Sequence, residues 1–538
     1  MATVAPSAAE TAVEPSARSG RRAPVALWVA GTLVALPAVA PIAYLVWSVL
    51  RPGGIDAGGI SSGRLLELLG ATSLLVISVT ATALMLGTAT AWLTTRTDLS
   101  ARRLWSTLAS LPLVIPSYVG AVAMLGTSGN GGLMSEALRA VGLPALPVFS
   151  GFWAAWGALS LWNFSYVHLL AVPALRRMDP ALEEAARGLG SSRRRLLATV
   201  VLPQLRPALL SSSLLVGLYV LSDFGAVSLL RYETFTRAIY TQFRGRLDPA
   251  PALFLSGVLV MVALVLVLAE QRGRGRAALY SNRPNRRPQP VRLTGGRRLA
   301  AYGFLSTVVI GALLLPLTTL VWWTVRGVSL GSSIGTVGAE LIRSATISLA
   351  AAAVAVVAAV PLAVLTVRYR NRRTALMESV VWSTYSLPHL AVGLGFLVLA
   401  INFVPLVYQT VALLVVAYVA MFIPQAMAAV QAGLRQVGPN LEAASRGLGV
   451  GPTATLLKIT VPLISRSLLA GGALVFLTVM KELPATLLLR PTGFETLAVR
   501  IWSASSELFY TRASVAALVL VTVSAIPLYL LVIRDLHD

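Results

Sequence analysis

Cysteine is absent from the chain, and histidine occurs only three times. Without cysteine the chain can form neither a disulfide nor a thiolate metal site, and it has no thiol nucleophile. Three histidines leave little material for a histidine-rich metal cluster or for a Ser-His-Asp set. The composition therefore disfavours an enzyme, including one embedded in a membrane.

Charged residues are also scarce, since they make up 12% of the 538 residues and a soluble domain usually has about 25%. Apolar residues reach 56%, and the mean hydropathy is +0.77. Long apolar runs recur along the chain, and about 20 such residues cross a hydrocarbon core as a helix. We predict an all-α polytopic membrane protein with about twelve transmembrane helices. The predicted spans are 25–50, 66–95, 104–126, 151–175, 206–230 and 251–270, then 299–325, 341–367, 375–400, 407–434, 465–489 and 513–534.

The chain has few acidic residues, 21 against 44 basic ones, which gives a net charge of +23. The basic residues are concentrated in loops on the N-terminal side of the predicted topology, such as 96–103, 176–195 and 272–298. A surplus of Lys and Arg marks the cytoplasmic face, because such loops are retained there. The charge therefore predicts that both termini are cytoplasmic, and it argues against nucleic-acid binding.

One segment of the chain occurs twice. The string EEAARGLG at 183–190 returns as EAASRGLG at 442–449, and the same shift of 259 residues places Pro203 over Pro462. A period of this size is a whole domain. We therefore predict two halves, 24–270 and 299–538, with a disordered cytoplasmic tail at 1–23 and an Arg/Pro-rich cytoplasmic linker at 271–298. Six spans in each half keep both halves in the same orientation, so the repeat is parallel.

The repeated segment resembles the EAA loop of ABC-importer permeases. Its first copy reads Glu184-Ala185-Ala186, three residues, Gly190, nine residues, Val200, one residue, Leu202-Pro203. The second copy departs from this pattern, with Ala443 in the place of Glu184 and Val461 in the place of Leu202. The predicted coupling loops are 179–203 and 438–462. The candidate coupling residues are Glu183, Glu184, Ala185, Gly190 and Pro203 in the first loop, and Glu442, Ala444, Gly449 and Pro462 in the second.

The resemblance implies a type I ABC importer permease in a bacterial inner membrane. In that family the two loops dock onto two copies of a cytoplasmic ATPase subunit, and an extracytoplasmic binding protein delivers the substrate. The mechanism implied is alternating access, driven by ATP that the partner hydrolyses. The only two lysines, Lys458 and Lys481, do not complete a phosphate-binding loop, so this chain is expected to bind no ATP or other cofactor.

Two shorter strings, LSDFGAVSLLR at 221–231 and KELPATLLLRP at 481–491, are similar to those of fused ferric-iron permeases. Related permeases for thiamine and aminoethylphosphonate share this plan, so their substrates stay open as alternatives. A twelve-span secondary transporter is the alternative from another class, but it gives no reason for paired EAA loops.

The shift of 259 residues also aligns Asp223 with Glu482, each eight residues before an arginine. A carboxylate inside a span is costly, so it should face a cavity, water or a partner. One hypothesis is that the two acids face each other and line a path for a hard cation. A second is that each acid forms a gate or holds neighbouring helices together, and a third is that neither acid has a special role. The metal-ligand set remains open.

Other polar or helix-breaking residues lie inside predicted spans. His168 and His389 are expected to make helix-to-helix hydrogen bonds rather than to bind a metal. Pro116 and Pro388 interrupt the third span of each half, where either a broken helix or a simple kink is expected.

Overall fold

The computed structural model describes residues 23–50, 60–245, 248–274, 290–331 and 336–528. The predicted tail at 1–23 lies outside the described residues except for its last residue. The middle of the predicted linker, 275–289, and the end of the twelfth span, 529–534, also lie outside them. All regular structure in the described part of the chain is helical.

Twenty-five α-helices follow one another in the described residues, with short 3₁₀ and π turns between some of them. The first half contains α1 (Val25–Leu50), α2 (Ser62–Arg96), α3 (Arg102–Ser110), α4 (Ser117–Thr127), α5 (Leu133–Ala140), α6 (Gly151–Arg176), α7 (Pro180–Gly188), α8 (Arg193–Leu196), α9 (Leu202–Ser222), α10 (Gly225–Leu229), α11 (Phe235–Gly245) and α12 (Ala250–Arg274). The second half contains α13 (Gly296–Val309), α14 (Leu315–Ser329), α15 (Gly338–Arg368), α16 (Arg372–Tyr385), α17 (His389–Phe403), α18 (Val411–Gln436), α19 (Pro439–Gly447), α20 (Pro452–Thr455), α21 (Val461–Leu463), α22 (Ser465–Met480), α23 (Pro484–Leu489), α24 (Leu497–Ser506) and α25 (Tyr510–Leu528). The turns are 3₁₀ at Leu111–Val114 and Pro405–Val407, and π at Leu197–Val201, Ile310–Leu314 and Leu456–Thr460.

The helix lengths confirm an all-α polytopic membrane protein. Within the described ranges, eight helices are long and apolar enough to cross a membrane, and the number reaches eleven if each of three bent pairs is one span. The predicted twelfth span corresponds to α25, whose apolar part, Tyr510–Ile526, is shorter. A backbone that crosses lipid must satisfy its own polar groups, which is why the spans are helices.

The third span of each half is broken rather than merely kinked. The chain turns by 95° between α3 and α4, at Pro116, and by 106° between α16 and α17, at Pro388. Each proline precedes the first residue of the new helix, where its lack of an N–H costs nothing. The N-termini of α4 and α17 therefore lie inside the protein.

The fifth span of each half is also broken, and here the prediction of continuous spans at 206–230 and 465–489 was wrong. Helix α9 ends at Ser222 and α10 begins at Gly225, while α22 ends at Met480 and α23 begins at Pro484. The two breaks fall at the predicted acids, because each carboxylate accepts hydrogen bonds from the backbone of the helix that follows it. Apolar composition alone does not reveal such a break.

The first span of each half packs against the other half. Helix α1 lies so close to α17 that a Cβ added to Gly395 would be 2.9 Å from the Cβ of Pro41. In the other direction, the Trp323 indole of α14 donates to the carbonyl of Gly126 at 2.8 Å, and the hydroxyls of Thr127 and Thr319 are 2.9 Å apart. Small residues and buried polar pairs of this kind hold membrane helices together. Each half therefore packs its first span against the other half.

The end of the linker forms a second connection between the halves. Thr97 and Val291 make an isolated parallel bridge, in which the N–H of Val291 donates to the carbonyl of Arg96 at 2.8 Å. The Asp98 carboxylate accepts from the N–H of Leu293, also at 2.8 Å. The chain is thus tied to the end of α2 shortly before α13 begins.

Candidate functional site

The first repeated segment forms the short helix α7, and its sequence accounts for both ends. The Asp179 carboxylate caps the helix by accepting from the N–H of Ala181 at 2.9 Å, and Pro180 occupies the first turn. At the other end, the N–H of Ser191 donates to the carbonyl of Ala186 at 3.0 Å. This C-terminal motif needs a left-handed residue, which Gly190 supplies with φ of 76°. Asp179, Pro180 and Gly190 thus determine where this helix begins and ends.

The second copy, α19, ends with the same geometry. The N–H of Val450 donates to the carbonyl of Ser445 at 3.1 Å, and Gly449 is left-handed with φ of 82°. Glycine takes this conformation without the strain of a Cβ, which explains its place in both copies. The two repeats therefore encode one local structure as well as one string of residues.

Each of these helices is anchored to the end of the second span of its own half. Glu183 pairs with Arg96, the last residue of α2, and the two side chains are only 7% and 4% exposed. Glu442 pairs with Arg368, the last residue of α15, at 2.9 Å. A buried carboxylate needs such a charged partner, because its desolvation would otherwise be too costly.

Glu183 and Glu442 thus face inward, whereas the other candidate coupling residues lie on the surface. These exposed residues are Glu184, Ala185, Gly190 and Pro203 in the first loop, and Ala444, Gly449 and Pro462 in the second. Beside them, Leu189 is 87% exposed and Leu448 is 84% exposed. Each loop therefore offers an apolar tip that is open to a partner.

The two prolines of the repeat follow π-helical turns. The N–H of Leu202, just before Pro203, bonds to the carbonyl of Leu197, five residues back. The N–H of Val461, just before Pro462, bonds in the same way to Leu456. Proline lacks an N–H and cannot continue the usual four-residue pattern, so the wider turn satisfies the backbone at this point.

Asp223 is buried at the break between α9 and α10. One of its carboxylate oxygens accepts from the N–H groups of Ala226 and Val227, at 3.0 and 3.2 Å, and the other accepts from the hydroxyl of Ser117. Ser117 is the first residue of α4, the second part of the broken third span. The acid therefore joins two broken helices of its own half.

Glu482 makes the corresponding contacts in the second half. Its carboxylate accepts from the N–H of Ala485 at 3.1 Å and lies 3.0 Å from Nδ1 of His389, the first residue of α17. His168, by contrast, is buried between the hydroxyls of Thr90 and Ser106, each 3.1 Å from a ring nitrogen. The predicted helix-to-helix role of both histidines is confirmed. The acids have the contacts that the helix-pairing hypothesis requires.

Lys481, next to Glu482, crosses from one half to the other. Its ammonium donates to the carbonyl of Leu113 at 3.1 Å, just before the break in the third span of the first half. The Tyr118 hydroxyl in turn donates to the carbonyl of Lys481 at 3.3 Å. The shift of 259 residues places Ser222 in the equivalent position, so the first half has no matching cation.

The sequence pattern of one protein family, the binding-protein-dependent transport system inner membrane component, matches the chain twice, at residues 83–269 and 352–535. The chain belongs to this family. The two matches cover the end of α2 through α12 and the corresponding part of the second half, so each contains one anchored helix, α7 or α19.

Relatives of the permease support this assignment. It is 31% identical over 516 residues to the Fe(3+)-transport system permease protein FbpB 2 of Haemophilus influenzae, which covers 95% of this chain and 98% of the relative. It is 24% identical over 399 residues to the ferric transport system permease protein FbpB of Actinobacillus pleuropneumoniae, covering 70% of this chain and 58% of the relative. A shorter match, 30% over 137 residues, joins it to the sulfate transport system permease protein CysT of Escherichia coli, covering 26% of this chain and 48% of the relative.

The permease is therefore a multi-pass inner-membrane transport subunit rather than an enzyme. Its two family repeats confirm the duplication that the strings at 183–190 and 442–449 predicted. The family name implies that transport depends on a binding protein, and such systems use a separate ATPase.

Two residues of the candidate site, Arg96 and Arg368, were not identified from the sequence. There, Arg96 was only the start of a basic loop, and Arg368 was not singled out. A signal was present, because each is the first arginine after a second span and a shift of 272 residues relates them. The sequence does not show that each arginine forms an ion pair with the glutamate of a loop that is distant along the chain.

Proposed function

We propose that this chain is the membrane subunit of an ATP-driven importer of ferric iron. The observation that carries the proposal is the pair of anchored helices, α7 and α19, each with an ion-paired glutamate on one side, buried in α7 and half-buried in α19, and an exposed apolar tip on the other. We assign these tips to two copies of a separate ATPase subunit, and we place them, with both termini, in the cytoplasm. A binding protein would deliver the substrate on the opposite side.

The broken helices support alternating access as the mechanism. Two helix breaks of the first half lie where Asp223 contacts Ser117, and two of the second half lie where Glu482 contacts His389. Discontinuous helices near the interface of two repeats are the usual setting of a transport path. Rocking one half against the other would open this region to one side at a time.

The assignment of ferric iron rests on the relatives whose names include ferric or Fe(3+) transport. The similarity to a sulfate permease concerns a quarter of the chain, and thiamine and aminoethylphosphonate remain the alternative substrates. Asp223 and Glu482 are buried and bonded within their own halves, which supports a role in holding the helices rather than in direct contact with the metal ion.

Reconstitution in liposomes tests the proposal. The permease would be combined with its ATPase and binding protein, and uptake of radioactive ferric iron would be measured with ATP inside the vesicles. We expect uptake to need both partners and to stop with an ATPase variant that binds ATP but cannot hydrolyse it. Uptake that continues with this variant would instead identify a secondary transporter. ATP-driven uptake of thiamine, aminoethylphosphonate or sulfate, without iron, would reject the substrate assignment alone.

A further inference from the structure

The anchored helices are connected to the opposite end of the membrane domain by two long helices, α2 and α15. At one end, Arg96 of α2 holds Glu183, and Arg368 of α15 holds Glu442 through Nε at 3.2 Å and a terminal nitrogen at 2.9 Å. Arg368 also donates to the carbonyl of Val437, at the end of α18. Both arginines thus fix the short helix to the last turn of a membrane span.

Towards their N-termini, α2 and α15 make a second pair of matched contacts. The Thr72 hydroxyl of α2 accepts from the N–H of Phe235, which opens α11, at 3.2 Å. The Ser344 hydroxyl of α15 accepts from the N–H of Leu497, which opens α24, at 2.8 Å. Both hydroxyls are buried. Helices α11 and α24 are the first helices after the broken fifth spans, so the contacts are equivalent in the two halves.

The length between the two contacts is the same in both halves. Thr72 and Arg96 are 24 residues apart, as are Ser344 and Arg368. A helix of that length spans about 36 Å, which exceeds the thickness of the hydrocarbon core. Each long helix therefore joins the loop side of the membrane domain to the opposite side without an intervening flexible segment.

In the first half the far contact leads directly to the buried acid. Thr236, next to Phe235, donates its hydroxyl to the backbone carbonyl of Asp223 at 2.6 Å. The Tyr232 hydroxyl, before the same helix, donates to the carbonyl of Ala71 on α2 at 2.9 Å. A displacement of α2 along its axis would therefore displace the segment that positions the helix break.

We propose that α2 and α15 act as struts that transmit movement of α7 and α19 to the broken helices, with Arg96 and Arg368 as positioning residues. This inference rests on the proposed ATPase-coupled function. The Arg96–Glu183 pair is buried and the Arg368–Glu442 pair is half-buried. Such pairs suit the task because opposite charges removed from water resist separation, since either charge alone would lose its partner and much of its solvation. The hydrogen bonds from the backbone of α11 to Thr72 and from the backbone of α24 to Ser344 complete the connection. Four residues, two in each half, thus define the two struts: Thr72 with Arg96, and Ser344 with Arg368.

The first experiment removes one ion pair without leaving an unpaired charge. The double variant Arg96→Met and Glu183→Met replaces both buried ions with apolar side chains, which folded proteins commonly tolerate. In liposomes with ATPase and binding protein, we expect the variant to assemble and to hydrolyse ATP. Iron transported per ATP should fall about tenfold, which corresponds to ~1.4 kcal/mol of lost coupling. The variant in which Arg96→Glu is combined with Glu183→Arg should recover part of this loss.

The second experiment removes the hydrogen bond between Thr72 of α2 and the backbone of α11, and it includes a matched control. Thr72→Val removes the hydroxyl and should lower transport per ATP by about fivefold, or ~1 kcal/mol for one buried hydrogen bond. Thr80→Val makes the same change two turns further along α2, where the buried hydroxyl has no hydrogen-bond partner among the described residues. This control should keep the wild-type ratio of transport to hydrolysis.

A distance measurement separates transmission from stability. Because the chain lacks cysteine, Thr241→Cys on α11 and Ser506→Cys on α24 can carry the only two spin labels. With ATP bound, the distance between the labels should change in the otherwise wild-type complex and in Thr80→Val. The change should be smaller in the double methionine variant and in Thr72→Val, in which only the strut of the second half is intact, when both complexes are measured below their unfolding temperatures.

The outcomes distinguish the inference from the function on which it rests. A wild-type complex without ATP-dependent uptake would reject the proposed function, and the struts with it. A wild-type complex that transports with ATP, together with strut variants that show the wild-type transport ratio and distance change, would reject the struts alone.

Discussion

The two halves of this permease make equivalent contacts at the breaks of their fifth spans, but with different side chains. Asp223 meets the hydroxyl of Ser117 in the first half, and Glu482 meets the imidazole of His389 in the second. The anchors and the breaks of the third and fifth spans agree, whereas the side chains at these breaks differ, and the second half has a further bend of 74° at Ile464. The two halves therefore share the anchors and these breaks, although the residues at the breaks differ.

The second half carries a cation that the first half lacks. Lys481 bonds across the interface to Leu113, and its counterpart Ser222 has no charge. The anchors differ as well, because Arg96 is more buried than Arg368 and its backbone is also tied to the linker. In addition, α15 contains Pro361, which interrupts its hydrogen bonds, and α2 has no proline. Helix α2 thus lacks the break in backbone hydrogen bonding that Pro361 introduces into α15.

The largest loss of stability is expected when the buried acids Asp223 and Glu482 are replaced. Asp223→Ala leaves two backbone N–H groups and one hydroxyl without a partner, and it should lower the free energy of unfolding by about 2–3 kcal/mol. Glu482→Ala leaves a single backbone N–H and the imidazole, so its loss should be smaller. Thermal unfolding of the purified permease in detergent measures both, and equal losses would contradict the difference between the halves.

The amide variants Asp223→Asn and Glu482→Gln are the controls for these substitutions. Each keeps an oxygen that can accept from the backbone, so we expect nearly wild-type stability and iron uptake. An amide variant that is stable but inactive would favour the other hypothesis, in which the carboxylates line the path.

A moderate loss of stability is expected at the hydrogen bond from Lys481 to Leu113, which joins the two halves. Lys481→Met removes one hydrogen bond from a charged group and should destabilise the permease by about 1–2 kcal/mol. Lys458→Met is the matched control, because this lysine is exposed on the π-helical turn of the second loop and should change stability little. Uptake and thermal unfolding should be measured for both. Similar stability of the two variants would show that Lys481 does not hold the halves together.

The smallest effect on stability is expected at the surface of the first loop. Glu184→Ala gives α7 the residue that α19 has at Ala443, and an exposed substitution of this kind changes stability by about 0.5 kcal/mol or less. If Glu184 contacts the ATPase, transport should decrease while stability does not. Glu184→Ala should then weaken binding of the ATPase and Ala443→Glu should strengthen it, as measured by co-purification. Unchanged binding in both variants would show that the difference between the loops has no role in docking.

Much of the fold was predictable because its signals are local. Apolar length indicates the spans, Asp179-Pro180 indicates where α7 begins, and Gly190 indicates where it ends. The repeat of these features predicted two parallel halves. The breaks at Pro116 and Pro388 were expected as one of two alternatives, since proline marks the position but does not set the angle.

The candidate site was less predictable. Glu183 was expected among the coupling residues, yet it faces Arg96, because helical spacing alone does not tell which side of a short surface helix meets the membrane domain. The fifth spans were predicted to continue through Asp223 and Glu482. Their breaks depend on carboxylates that accept from the following backbone, and such an interaction has no signature in hydropathy.

By itself, the sequence determined the class of this protein: apolar runs, a doubled EAA loop and a surplus of arginine specify a duplicated membrane permease, because each acts through residues close together in the chain. Only the tertiary structure decided which charges meet. Arg96 and Glu183 are 87 residues apart, and Lys481 and Leu113 are 368 apart. Pairs of this kind form because a buried polar group must find a partner, and which partner is near depends on how the helices pack.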